Sequence, residues 1–406
     1  MNKIEKKIEW NKYIISLCPI FLIFYISNET YAIDYRAFYL AGKSVLNNLN
    51  PYLNHISLNI DFYGPVNSEL SKFSGWKYPP IASYLFAPFA TLPYEFSKNL
   101  FNFISLSSIS FLTFFVIKKR LFYINPNSLM IVGISFPVLA TISRGQVEMI
   151  IVCMALLSFY FYKKGALLLS SITIAILGFI KVFPLLLAIT FIQSKKRIKF
   201  FTYLIISLLI LYFLNLILCP IEWRLSFLER ITIPWNEIPI GNLKELPDNV
   251  GIIKDSMMVR TSDARNLFHS HFFVFGFANP LLSNNLILSG IIGTIGSLIC
   301  LFKYSKHSLT LCFFTIMNWI NIINPISWIM GLFWYVPLFI FSYDKVKPSL
   351  KIIIILPLIL PPFLNISGYL AAIISLFIIK FFSREGLKTC LLYTSPSPRD
   401  RQKSRM

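Results

Sequence analysis

Between residues 95 and 219 six apolar stretches follow one another, near 95–117, 123–142, 146–162, 165–180, 182–193 and 200–219, and no interval between them exceeds six residues. Apolar runs at that density exceed what a water-soluble core absorbs, whereas a bilayer accommodates them, because a helix crossing the hydrocarbon needs roughly 20 apolar residues. Further runs near 13–33, 283–302, 308–324, 326–342, 352–364 and 367–382 extend the pattern over most of the 406 residues. A charged fraction of 14% and a mean hydropathy of +0.65 agree with that class. The expected fold is therefore an all-α polytopic membrane protein of about 12 spans, within a range of 9–13. A single membrane domain, 1–388, would carry two long extracytoplasmic loops, 34–80 and 220–285.

The net charge of +20 raises the question of nucleic acid. A nucleic-acid binder gathers its cations on one polar face, whereas here they sit in small groups between apolar runs, as at a cytoplasmic membrane surface. No nucleic-acid partner is expected. With the N-terminus in the cytoplasm, 21 of the 38 Lys and Arg residues fall in cytoplasmic intervals, among them Lys118, Lys119 and Arg120, and Lys195, Lys196 and Arg197. The cluster Lys3, Lys6, Lys7 and Lys12 then precedes a signal anchor rather than a cleaved leader. The six cysteines show neither CxxC nor zinc spacing and read as small buried hydrophobes. Composition changes abruptly near the C-terminus, and 389–406 is expected to be a non-native, adaptor-derived tail.

This topology forces two irregular segments. Tyr78 to Leu92 cannot be a full crossing if its flanks lie on one side, and Pro79, Pro80, Pro88 and Pro93 agree with a re-entrant or surface segment. The stretch between Lys163-Lys164 and Lys195-Lys196-Arg197 must go out and return, with its break at Lys181-Val182-Phe183-Pro184. Non-helical backbone at membrane depth is tolerated only where protein or a water-filled cavity covers it.

The same topology brings the unusual polar residues to the outer side: Asp34, Lys77 and Tyr78, then Arg144, Gln146 and Glu148, then Lys181, His269, His271 and Trp328. Each has a plainer reading. Asp34 is a solvated acid or a partner for Arg36, Arg144 and Glu148 are a helix-end ion pair, and Lys181 snorkels to the interface. His269 and His271 form a lone HxH pair with no metal, and Trp328 is an interfacial belt aromatic. Convergence of several ionisable groups at one depth outweighs these readings, since charges at that depth are costly and usually functional.

Several pieces, in order, resemble glycosyltransferase family 87, the polyprenol-phosphate-sugar-dependent transferases of the GT-C superfamily. They are Asp34-Tyr35-Arg36-Ala37-Phe38-Tyr39-Leu40-Ala41-Gly42, Asn50-Pro51-Tyr52, Tyr78-Pro79-Pro80 with Pro88 and Pro93, Gly145-Gln146, Lys181-Val182-Phe183-Pro184, and Pro325-Ile326-Ser327-Trp328. Where the family often carries two histidines after the last piece, this chain has Met330 and Gly331. The resemblance implies a GT-C-like bundle and a hexosyltransferase, with mannose a candidate sugar. Its donor would be a polyprenyl-phosphate sugar and its acceptor a hydroxyl of a glycan or glycolipid, with inversion. Asp34 matches the family's catalytic base. Lys77, Tyr78, Arg144, Gln146, Glu148, Lys181, His269, His271 and Trp328 would bind substrate. No cofactor is implied, because the donor arrives as a membrane lipid, and the setting would be a bacterial inner (plasma) membrane. An O-antigen ligase or polymerase, a transporter and a non-catalytic scaffold are the rival readings.

Overall fold

The computed structural model describes residues 10–27, 32–53, 76, 78–119, 124–232, 277–278, 286–304, 309–323, 326–327, 329–360 and 374. The helices in chain order are α1 (Trp10–Ser27), α2 (Ile33–Leu46), the short α3 (Ala87–Ala90), α4 (Tyr94–Lys118), α5 (Pro126–Gly133), α6 (Phe136–Arg144), α7 (Glu148–Lys164), α8 (Leu167–Ile180), α9 (Arg197–Leu218) and α10 (Ile221–Thr232). After the second long interval come α11 (Leu286–Tyr304), α12 (Leu309–Ile323), α13 (Val336–Ser342) and α14 (Pro348–Ile359). Tight 3-10 turns occupy Pro80–Leu85, Phe183–Phe191 and Ile329–Tyr335, and the strand pairing described is two residues long, Phe277–Ala278 against Ile326–Ser327.

The chain is helical, as its apolar runs imply. Among the described residues only α4 and α9 are long and apolar enough to cross a membrane, with α5 and α6 a third candidate if they form one span bent by 47°. The shorter apolar helices fall below the needed length: α8 has 14 residues, about 21 Å of helix.

Both irregular segments behave as their prolines require. Tyr78–Leu92 contains the 3-10 turn Pro80–Leu85 and one turn of helix rather than a crossing. Helix α8 ends at Ile180, Lys181 is extended (φ −142°, ψ 129°), and the 3-10 turn opens with Pro184 in its first positions. Pro184 cannot donate into a continuing ladder, which leaves Lys181 on non-helical backbone.

The interval 34–80 is not loop throughout, for it opens with α2. Tyr35, Phe38, Tyr39, Gly42 and Val45 fall at three- and four-residue spacing, the period of a helix face packed on a core. That face is wedged onto the following segment. Phe38 and Phe86 stack with ring centroids 4.6 Å apart, Tyr39 donates a 2.9 Å hydrogen bond to the Leu92 carbonyl, and the Tyr35 and Ser97 hydroxyls are hydrogen-bonded to each other. Gly42 makes the approach possible, because a Cβ there would stand 2.4 Å from the Phe86 carbonyl oxygen.

Candidate functional site

Two turns hold the site. The first is the break between α6 and α7. Gly145 adopts a left-handed conformation (φ 66°) and closes α6 in a Schellman cap, with Gln146 N–H on the Thr141 carbonyl at 2.9 Å and Gly145 N–H on the Ile142 carbonyl at 3.2 Å. Glycine is needed twice over: for that φ, and because a Cβ would lie 2.4 Å from Cβ of Tyr35. Close contact with α2 at this point brings Arg144 to Asp34. The second turn is the one at Lys181.

Asp34 stands in the first turn of α2, where the helix dipole favours a carboxylate. Arg144 grips it through two hydrogen bonds, Nε to Oδ2 at 2.5 Å and Nη2 to Oδ1 at 3.0 Å. This fork geometry fixes the carboxylate plane as well as its position. Asp34 remains 20% exposed at its side chain and Arg144 13%, so the pair borders open space.

Glu148, first residue of α7, pairs with Lys181 across the bundle. Its Oε1 accepts from Lys181 Nζ, while Oε2 is buried and has no hydrogen-bond partner. A buried, unsatisfied carboxylate oxygen costs more than a bond is worth, so the position is suited to a donor group. Gln146, buried between the two pairs, turns its Oε1 to the Val147 N–H at 3.4 Å.

Tyr78 closes the cluster. Its ring lies 5.9 Å from Lys181 Nζ and packs on Trp76 and Phe38, with centroids 5.0 and 5.4 Å away. Burial pushes the Tyr78 phenol up to about 12, against the pull of Lys181 and with a smaller push from Glu148 and Asp34, so it is a neutral donor at neutral pH. Tyr52 donates a 2.5 Å hydrogen bond to the Tyr78 carbonyl and fixes the loop above the site.

Of the residues expected at a site, the structure thus gathers Asp34, Tyr78, Arg144, Gln146, Glu148 and Lys181. Lys77, His269, His271 and Trp328 lie outside the described residues. The pairing differs from the local one expected from spacing: Arg144 reaches Asp34 rather than completing a helical turn with Glu148, because Gly145 separates the two helices. Three further residues support the site: Tyr35, which buttresses Gly145, and Tyr52, both part of the family resemblance but given no role of their own, and Trp76, 1% exposed, which was not singled out. Their signal was aromatic density around short polar steps. Among the described residues no group of three or more His, Cys, Asp or Glu side chains is arranged to hold a metal ion.

Neither a curated protein nor a solved structure matches the chain. The profile of glycosyltransferase family 87 does, over residues 76–293, more than half of the 406. That span contains Tyr78, Arg144, Gln146, Glu148 and Lys181, while Asp34 precedes it. A family match of this extent, laid over the segment that builds both turns of the site, assigns the protein: it belongs to glycosyltransferase family 87 and is a membrane glycosyltransferase.

Proposed function

We propose that the enzyme moves a hexosyl unit, with mannose the first candidate, from a polyprenyl-phosphate donor to a hydroxyl of a glycan or glycolipid acceptor. The reaction takes place at the outer face of the plasma membrane with inversion at the anomeric carbon. The observation that carries this reading is the Asp34 carboxylate, gripped in a fixed plane by Arg144 and bordered by the Glu148–Lys181 pair.

The acceptor oxygen attacks the anomeric carbon as the bond to the phosphate oxygen breaks on the opposite side. Asp34 takes the proton of the attacking hydroxyl, and Arg144 holds the carboxylate at the angle this transfer needs. Lys181, with Lys77, offsets charge on the departing polyprenyl phosphate. Glu148 has a different task. An ionised carboxylate oxygen accepts hydrogen bonds only and repels phosphate, so its buried, unpartnered Oε2 suits a donor O–H group, such as one of the sugar, rather than the phosphate. The neutral Tyr78 phenol can donate to the substrate from above.

Membranes carrying the protein, incubated with radiolabelled polyprenyl-phosphate mannose and glucose, should yield a labelled glycan. Asp34→Asn keeps the shape of the side chain but cannot take the proton, and should lower transfer on the order of 10²–10⁴-fold while leaving the protein folded. A folded Asp34→Asn protein with full transfer would remove Asp34 from the mechanism and make Glu148 the next acid to test.

A further inference from the structure

Helix α10 has two faces of opposite character. Trp223, Ser226 and Phe227 face the protein: Trp223 is buried, Ser226 accepts a 2.9 Å hydrogen bond from Asn50, and the Phe227 ring stands 6.2 Å from that of Tyr52. On the opposite side Ile221, Leu225 and Leu228, spaced by four and three residues, are 62%, 58% and 51% exposed. At about 100° per residue, Glu222 and Glu229, also exposed, fall between these faces.

Along the chain the apolar stripe follows directly on the exposed end of α9. Ile217 and Leu218, at the end of that helix, are 77% and 43% exposed, and only 11% of its most apolar window is buried. At Cys219 the backbone becomes extended (φ −106°, ψ 121°), and α10 begins two residues later with a new direction available to it. A 12-residue helix carrying two glutamates is too short and too polar to cross a bilayer. Its amphipathic pattern, beginning where a lipid-facing helix ends, matches a helix lying at the boundary of headgroups and acyl chains.

We propose that α10 is seated in the interfacial layer of the bilayer, with Ile221, Leu225 and Leu228 against lipid and Glu222 and Glu229 toward water. The same helix supports the roof of the ion-pair cluster, since Asn50 and Tyr52 bind its inner face and Tyr52 holds the Tyr78 carbonyl over Lys181. The lipid surface is thereby a mechanical support for one wall of the site.

Single cysteines at 222, 225, 228 and 229, placed in the full chain with its own cysteines replaced, can be nitroxide-labelled in phosphatidylcholine–phosphatidylglycerol nanodiscs. Power saturation should show Leu225 and Leu228 favouring dissolved oxygen over a water-soluble nickel chelate, with the opposite preference at Glu222 and Glu229. Nickel access at 225 and 228 equal to that at 222 and 229 would place the stripe in water and overturn the proposal. Protection from both reagents would show protein on the stripe and overturn it equally. If a label at 225 prevents folding, Leu225→Trp serves instead: brominated phosphatidylcholine should quench it beyond the tryptophan background, and an unchanged background would count against the proposal.

Discussion

Helices α4 and α9 have nearly the same hydropathy, 2.0 and 2.4, yet 44% of the most apolar window of α4 is buried against 11% of that of α9. The difference lies in their polar residues. Buried positions on α4 recur at helical spacing and include Ser97, Lys98, Asn102, Ser105 and Thr113, whereas α9 buries only Phe200, Leu204 and Ser207. Lipid is as apolar as a leucine core, so apolarity gives a membrane helix no inward direction; small and polar side chains that need partners supply it. Asn102 finds one in the Ile142 carbonyl of α6 at 3.0 Å, and Ser97 in the Tyr35 hydroxyl of α2. The inner face of α4 therefore looks toward α2 and α6, the helices that present Asp34 and Arg144, and α9 looks away from them.

Three substitutions should break or sharpen this contrast. The largest effect is expected at the turn on which the inner side converges. Gly145→Ala meets both a left-handed backbone and the Tyr35 Cβ, and should destabilise by about 2–4 kcal/mol in thermal melts of the solubilised protein, with transfer lost alongside. A melt within error of the unchanged protein would mean that α2 has room to move off the turn. Next, Asn102→Leu removes a buried hydrogen bond without changing hydropathy adversely, and should cost roughly 1–2 kcal/mol in the same melt. On α9, Leu209→Ala at a half-exposed position should change stability by less than about 0.5 kcal/mol. Equal costs for Asn102→Leu and Leu209→Ala would erase the distinction between the two helices.

Much of this was legible in the chain. Prolines disclosed the irregular segments at 78–92 and 181–184, because a missing donor acts locally. Charge grouping brought Asp34, Arg144, Glu148 and Lys181 to one side. Partnership was not legible, for it depends on a single backbone turn: a four-residue spacing means adjacency only inside a continuous helix, and Gly145 interrupts this one. Helix α2 was hidden for a related reason, since Asp34, Arg36 and Lys43 gave the segment a loop-like polarity although its aromatic spacing was helical. The family match over 76–293 leaves Asp34 outside, so its proposed role as base rests on the motif resemblance and on its place beside Arg144.

The cross-bundle pairing has an electrical consequence. Asp34, Arg144, Glu148 and Lys181 sum to zero charge. One elementary charge moved through a full membrane potential exchanges about 2.3 kcal/mol per 100 mV, but a neutral quartet moving as a body exchanges none. Voltage can act on such a site only by pulling its pairs apart or by acting on an ion that enters it. An anionic lipid phosphate is such an ion, and its arrival would make a voltage-indifferent cluster sensitive to the field.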